Sequence, residues 1–261
     1  MKVTVLGSGL TIPMPNTIYR YPSSHLVEIG SVKLLLDAGI GVLPQLSNLN
    51  INITDVSFIC VTHYHADHFN LEPILQAFYV LSMNTGIRSS VNIIGPPDIE
   101  ERVRAGYILR GWSYDDDLMK LVDIAYYRYN NDDPIDIAYG IKLTGFKTKH
   151  FSLDAYSLRI EYGQKVIAYS GDSAVSRGLE KAAKNADLFL CEAANDVGTP
   201  SNAGHLNPHD AAIVAKNVNS RQLVLVHYSG INKREDMIRD CLASGFDGNV
   251  DVAKDLSAYI I

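Results

Sequence analysis

One short stretch of this chain carries the residue types of a metal site. Residues 62–68 read THYHADH, so three histidines and one aspartate fall within six positions. Neutral imidazoles and a carboxylate suit zinc and similar divalent ions. The apolar run at 56–61 predicts a short buried strand, which places the stretch on the loop at that strand's end. A loop can turn these side chains toward one point, and the candidate ligands are His63, His65, Asp67 and His68.

The order His-x-His-x-Asp-His in this loop resembles the signature of the metallo-β-lactamase superfamily. The resemblance implies an α/β fold of the four-layer αββα sandwich type, with two divalent metal ions. Zinc is the expected metal and manganese is the alternative. The alternation of strand and helix patterns in both halves independently indicates two sheets faced by helices. With 261 residues and no linker or repeat, we expect residues 1–261 to form a single domain.

One loop cannot complete a site for two ions, so other ligands must come from other strand ends. Three polar residues each follow a short apolar run that predicts a strand: His150, Asp172 and His227. The resemblance assigns His63, His65 and His150 to one metal, and Asp67, His68 and His227 to the other. It makes Asp172 the bridging ligand. Two such ions can hold a water between them and lower its pKa to about 7, which makes it a nucleophile.

Three more residues match positions with a supporting or catalytic role in the superfamily. Asp37 follows a predicted strand and is expected to support the metal loop by hydrogen bonds rather than to ligate. Glu192 and His205 resemble a glutamate–histidine pair of the RNase Z and phosphodiesterase branch, where the histidine helps to protonate the leaving oxygen. The catalytic candidates are therefore Asp67, Glu192 and His205. The branch usually has a hydroxyl residue two positions after this histidine, where this chain has Asn207.

Two other features bear on the branch. The glycine-containing segment at 6–15 resembles the opening of RNase Z proteins, and its backbone amides could approach a phosphate. RNase Z proteins usually carry a long arm that grips tRNA, inserted between the residues that match His150 and Asp172. Here 21 residues separate the two and read as a strand, a turn and a strand. This spacing and the net charge of −6 weaken the case for an RNA substrate.

Bulk properties limit the location and the partners. The three cysteines, Cys60, Cys191 and Cys241, are odd in number and widely spaced, which favours a reducing cytoplasm over a disulfide framework. No apolar run approaches the roughly 18 residues of a membrane span. Superfamily members are often dimers, so a homodimer is expected. The tyrosine-rich stretch at 107–139 is a candidate for an interface, a cap over the cleft or ordinary packing.

The sequence therefore predicts a cytoplasmic, binuclear metal-dependent hydrolase. The preferred activity is hydrolysis of a small or cyclic nucleotide-like phosphodiester by a hydroxide that bridges the metals. The first alternative is an RNase Z-like endonuclease that processes tRNA 3′ ends. The second is a protein that binds metal without turnover. Thioester and β-lactam hydrolases share the metal loop but lack the glutamate–histidine pair.

Overall fold

The structure is a computed structural model that describes residues 1–11, 14–130 and 132–261. In these residues fourteen strands form two sheets of seven strands each. The first sheet has the order β14-β1-β2-β3-β4-β5-β6. Its strands are β1 (Lys2–Gly7), β2 (Ser24–Ile29), β3 (Val32–Leu36), β4 (Phe58–Cys60), β5 (Ser89–Gly95), β6 (Val122–Arg128) and β14 (Ala258–Ile260).

The second sheet has the order β13-β12-β11-β10-β9-β8-β7. Its strands are β7 (Ile135–Ala138), β8 (Ile141–His150), β9 (Leu153–Tyr162), β10 (Lys165–Tyr169), β11 (Leu188–Glu192), β12 (Gln222–Val226) and β13 (Asn249–Val252). Strands β10 to β13 are parallel, whereas β7, β8, β9 and β10 pair antiparallel. The first sheet is mixed too, because β14, β1, β2 and β3 pair antiparallel whereas β3 to β6 are parallel.

Seven α-helices accompany the sheets in the described residues. They are α1 (Val42–Asn48), α2 (Leu71–Thr85), α3 (Ile99–Leu109), α4 (Met119–Leu121), α5 (Arg177–Ala183), α6 (Pro208–Asn217) and α7 (Arg234–Ala243). The start of α6 follows its sequence: the Asn207 side chain accepts a hydrogen bond from the Asp210 amide, and Pro208 occupies the first turn. None of these helices has both the length and the hydrophobicity that a membrane crossing requires.

Three apolar clusters divide the molecule into four layers. The central cluster takes side chains from both sheets, among them Leu34 and Leu190. A second cluster joins the outer face of the first sheet to α2 and α3 through residues such as Phe78. A third joins the outer face of the second sheet to α5, α6 and α7 through residues such as Leu179. This is the αββα arrangement that the sequence predicts. Because both sheets share the central cluster, we propose that residues 1–261 form one domain.

The tyrosine-rich stretch at 107–139 is the part whose structure the sequence left open. It contains a π-helical turn at Tyr114–Leu118, then α4, β6 and β7. Tyr107 and Tyr114 are buried against the outer face of the first sheet. Packing, the third of the alternatives, therefore accounts for these two side chains.

One carboxylate holds both ends of the segment that follows β1. Asp255 accepts hydrogen bonds from the amide and the hydroxyl of Ser8, at 2.9 and 2.8 Å, and from the amide of Tyr21, at 2.9 Å. The Gly9 amide donates to the Tyr21 carbonyl. The amides of Ser8 and Gly9 are thus already engaged, which does not support the expected phosphate contact there. Ile12 and Pro13 of the same expectation lie outside the described residues.

Candidate metal centre

The candidate ligands gather where strand ends from both sheets meet. The loop at 62–68 follows β4, which runs parallel to β3. On the second sheet, His150 is the last residue of β8, Asp172 follows β10, and His227 follows β12. Strand β8 points the same way as β10 because each is antiparallel to β9. The fold therefore brings together all seven side chains that the sequence singles out.

A first group of donors combines three imidazoles with one carboxylate. One ligand atom from each of its members lies within 4.8 Å of the others: His63, His65, His150 and Asp172. Nε2 of His63 and Nε2 of His150 each lie 3.7 Å from Oδ2 of Asp172. Nε2 of His150 is 3.1 Å from Nδ1 of His65. These nitrogens face a common point, as ligands of one ion would.

A second group combines two imidazoles with one carboxylate: Asp67, His68 and His227, again within 4.8 Å of one another. Nε2 of His227 lies 3.2 Å from Oδ2 of Asp67. Asp172 also faces this group, because its Oδ1 is 3.1 Å from Nε2 of His68 and 3.3 Å from Nδ1 of His227. The two oxygens of Asp172 thus point at different groups, which is the placement that a bridging carboxylate needs.

Asp37 stands behind the second group in a buried hydrogen-bond network. Its carboxylate accepts from Nδ1 of His68 at 2.7 Å and from the hydroxyl of Tyr169 at 2.8 Å. It also accepts from the Thr62 amide at 2.7 Å and the Thr62 hydroxyl at 2.8 Å. A proton fixed on Nδ1 of His68 leaves Nε2 for a metal. Asp37 therefore has contacts suited to the supporting role expected from the sequence.

The first group has neutral partners instead. Nδ1 of His150 donates to the carbonyl of Gly204 at 2.9 Å. Nδ1 of His63 lies 3.0 Å from the Thr62 hydroxyl. Burial lowers the pKa of both His63 and His150, which favours the neutral imidazole that binds metal. For His68, burial alone would lower the pKa, but the charges of Asp172 and Asp37 raise it well above its usual range.

The donors fit divalent metal ions on two counts. Among the described residues, four of their buried polar atoms find no hydrogen-bond partner: Nε2 of His63, Nε2 of His68, Oδ1 of Asp172 and Nδ1 of His227. Buried polar atoms without a partner are costly, so this pattern calls for a ligand. The carboxylates of Asp37, Asp67 and Asp172 are also buried together, and cations would compensate their charge. Imidazole and carboxylate donors in these numbers suit zinc.

The glutamate–histidine pair lies beside these donors. Glu192 is fully buried at the end of β11, and its carboxylate accepts from the amides of Ser173 and Ala194. Nδ1 of His205 donates to Oε1 of Glu192 at 3.0 Å. Burial alone would lower the pKa of His205, but the hydrogen bond to Glu192 and the charge of that carboxylate raise it. The other ring nitrogen is left for the cleft, so His205 can hold and deliver a proton there.

Asn207, the departure from the branch's pattern, has a structural role. Besides capping α6, its side-chain amide donates to the Thr199 carbonyl at 2.8 Å, and its backbone amide donates to the Ser201 hydroxyl. These bonds fix the segment that precedes the helix. His205 lies at the end of that segment, so Asn207 stabilises the surroundings of the histidine without facing the cleft donors.

A cleft of about 590 Å³ opens over the donors. Its walls combine His65, Asp67, Asp172, His205 and His227 with Leu10, Thr11, Met14, Ala66, Ala194 and Asn195. Among these described lining residues there is neither lysine nor arginine.

Sequence reasoning missed several residues that shape this centre. Tyr169 lies within a buried strand, and nothing in the chain predicts that its hydroxyl reaches Asp37 from the other sheet. Gly204 supports His150 through a backbone carbonyl, which no side-chain pattern reveals. His25, which no sequence motif singles out, is fully buried against Tyr169, with ring centroids 4.7 Å apart. Burial and the nearby His68 and His227 lower its pKa to about 3, so it is neutral.

Comparison with known proteins gives a family and several relatives. The beta-lactamase superfamily domain profile matches residues 33–228. The probable metallo-hydrolase YhfI of Bacillus subtilis is 28% identical over 259 residues, covering 97% of each chain. Ribonuclease Z of Clostridioides difficile is 25% identical over 284 residues, covering 88% of each chain.

Solved structures give a similar result. The crystal structure of YhfI superposes with a TM-score of 0.82 at 25% identity, covering 99% of this chain and 98% of that one. A diphosphatase of the PhnP family superposes with a TM-score of 0.75, covering 100% and 97% of the two chains. Its identity is 17%, so that likeness concerns the fold alone.

Proposed function

The chain belongs to the metallo-β-lactamase superfamily and is a metal-dependent hydrolase of that superfamily, and from this premise we propose that it hydrolyses small or cyclic nucleotide-like phosphodiesters. The observation that carries the proposal is the Glu192–His205 pair beside a two-group set of metal donors. A carboxylate-held histidine supplies a proton to a leaving oxygen, which is what cleavage of a phosphate ester requires.

The proposed site uses two divalent ions, with zinc as the expected metal. His63, His65 and His150 would hold one ion, Asp67, His68 and His227 the other, and Asp172 both. When bound, such ions stabilise charge on a phosphoryl oxygen and lower the pKa of a bound water. The protein's own part in the proton transfer belongs to His205. As the bond from phosphorus to the leaving oxygen breaks and a water oxygen takes its place, His205 protonates the leaving oxygen, and Glu192 holds its ring in position.

The composition of the cleft favours a small substrate over a polynucleotide. Proteins that bind nucleic acid neutralise successive phosphates with lysine and arginine. The described lining residues include neither. Between His150 and Asp172 the chain forms two short strands, β9 and β10, each preceded by a two-residue turn, so no arm extends there. Both features support a substrate with one phosphodiester group.

An RNase Z-like endonuclease is the second candidate, because Ribonuclease Z proteins are among the relatives. A direct test compares a precursor tRNA with a 3′ trailer, bis-p-nitrophenyl phosphate and 2′,3′-cyclic nucleotides, using protein with its metal content measured. We expect turnover of the small diesters that is lost on chelation and restored by zinc or manganese. Cleavage confined to the tRNA would reverse the order of the two candidates. Tightly bound metal without chelator-sensitive turnover of phosphoesters, thioesters or lactams would favour a metal-binding protein.

We propose a cytoplasmic location and a homodimeric assembly for this protein. The three cysteines are buried and unpaired, which fits the cytoplasm that we propose. We also propose a homodimer, which light scattering on the purified protein would test.

A further inference from the structure

The turn that follows the metal-donor strand β8 has an unexpected residue. His150 of β8 pairs with Leu153 of β9, which leaves a two-residue turn, Phe151–Ser152. The φ angle of Phe151 is +50°, in the left-handed region. A bulky side chain is rare in that region, and hairpins that need a positive φ at the first turn position normally use glycine, asparagine or aspartate. Phe151 therefore breaks a local rule of turn chemistry.

Two other hairpins of the same protein obey that rule. The β2–β3 turn lies between Ile29 and Val32 and begins with Gly30, whose φ is +58°. The β9–β10 turn begins with Gly163, whose φ is +60°. The β7–β8 turn is the exception, because it begins with Tyr139, whose φ is +51°. The surroundings of Phe151, rather than its φ alone, therefore bear on function. Backbone strain of this kind persists at functional sites when a side chain is needed there.

The Phe151 ring lies beside the candidate proton donor. Its centroid is 5.0 Å from that of His150 and 5.6 Å from that of His205. The side chain is nevertheless 53% exposed. A Cβ on Gly204 would lie 2.4 Å from the ring, so the glycine leaves the space that the ring occupies. The Phe151 amide donates to the Ala203 carbonyl, which ties the turn to this segment.

The same turn borders a second groove, of about 630 Å³. Ser152 and Leu153 line this groove, and His65 lines both it and the cleft over the donors. Leu153 is also exposed. Phe151 and Leu153 are thus two exposed apolar side chains between His205 and the second groove, whose other walls include Asp98, Arg102 and Asp154.

We propose that Phe151 is a specificity-determining residue whose ring contacts an aromatic or apolar leaving group next to His205. This inference rests on the proposed phosphodiester hydrolysis. The leaving oxygen must come close to His205 to take its proton, so the group attached to that oxygen lies near the Phe151 ring. An aromatic group there gains an edge-to-face or offset-stacked contact in addition to burial of apolar area.

Binding of phenylphosphonate and methylphosphonate to the metal-loaded protein tests the inference by calorimetry, without turnover. We expect the wild type to bind phenylphosphonate about three- to tenfold more tightly, the size of an aromatic contact. Phe151→Ala and Phe151→Gly should remove this preference. The glycine variant should melt at the same temperature as the wild type or higher, because glycine relieves the left-handed φ. A purely structural role would instead lower its melting temperature.

Tyr139→Ala is the matched control. Tyr139 is another exposed aromatic residue with a φ of +51° in a two-residue turn, at the opposite end of β8, roughly 30 Å along the strand. This variant should keep the preference. Equal binding of the two phosphonates by the wild type, no binding of phenylphosphonate, or a preference retained in Phe151→Gly would each overturn the inference. Failure to hydrolyse any phosphodiester, with the preference intact, would instead reject the proposed function alone.

Discussion

The two groups of metal donors share Asp172 but differ in what stands behind them. Behind His68 is the buried carboxylate of Asp37, itself held by Tyr169 and Thr62. Behind His150 is a neutral carbonyl, that of Gly204. A carboxylate partner makes an imidazole a stronger donor than a carbonyl does, and fixes its orientation. We infer that the second group would hold a metal ion more tightly than the first group. An ion at the first group would exchange with solvent more readily.

Replacement of Asp172, the donor shared by the two groups, should abolish the difference in metal affinity between them. Asp172→Ala deprives both groups of a carboxylate and leaves neighbouring imidazoles without their common partner. We expect at most one metal ion per chain by mass spectrometry, and a fall in kcat/KM of at least ~10³-fold, the scale of metal-ion catalysis. Asp123→Ala, which removes an exposed carboxylate paired with Arg88 on the first sheet, should change neither. Two ions retained by the Asp172 variant would show that the groups do not depend on this residue.

His205 bears on the comparison of the two donor groups, because one of its nitrogens also lies within 4.8 Å of donor atoms of Asp172 and His227. If it is the proton donor, His205→Ala should lower kcat by ~10²–10⁴-fold with both metal ions retained. His209→Ala is the control, since His209 is a histidine on α6 whose Nδ1 contacts the Asp240 carbonyl. Loss of an ion from the His205 variant would make this residue a ligand instead, and would enlarge the second group.

The smallest expected effect on metal binding comes from changes to the hydrogen bonds of Asp37, the carboxylate behind the second group. Asp37→Asn should weaken binding of the second ion by ~10–100-fold and leave the first almost unchanged, as measured by competition with a chelator. Tyr169→Phe keeps the carboxylate and removes one of its hydrogen bonds. It should lower the free energy of unfolding by about 1–2 kcal/mol and weaken the second ion less than Asp37→Asn does. Equal loss from both positions in Asp37→Asn would contradict the difference inferred between them.

The sequence predicts best what lies close together along the chain. Residues 62–68 carry four candidate donors on one loop, so their types and spacing alone predict that these side chains lie near one another. His150, Asp172 and His227 required the family resemblance in addition, because a single polar residue at a strand end is common. The alternation of strand and helix patterns predicted an α/β fold with two sheets faced by helices, and the family resemblance supplied the four-layer αββα arrangement.

The rest depends on contacts that no local pattern encodes. Tyr169 reaches Asp37 across the two sheets, 132 positions away in the chain. Strand β6 escaped prediction because tyrosines fill positions on both of its faces, which hides the alternation. Helix α5 also escaped prediction, because its seven residues are too few to show a clear helical period, although Ser176 caps it. Phe151 could be noticed only once its φ angle was known.

Because the segment after β1 is attached to Asp255, the lining of the cleft can change independently of the candidate metal ligands. Because one carboxylate fastens both Ser8 and Tyr21, the stretch between them can change in length or composition while its anchors stay fixed. That stretch supplies Leu10, Thr11 and Met14 to the front of the cleft, and none of the seven candidate metal ligands. This segment can thus be varied without changing any candidate metal ligand, and library-based engineering of substrate range would begin with it.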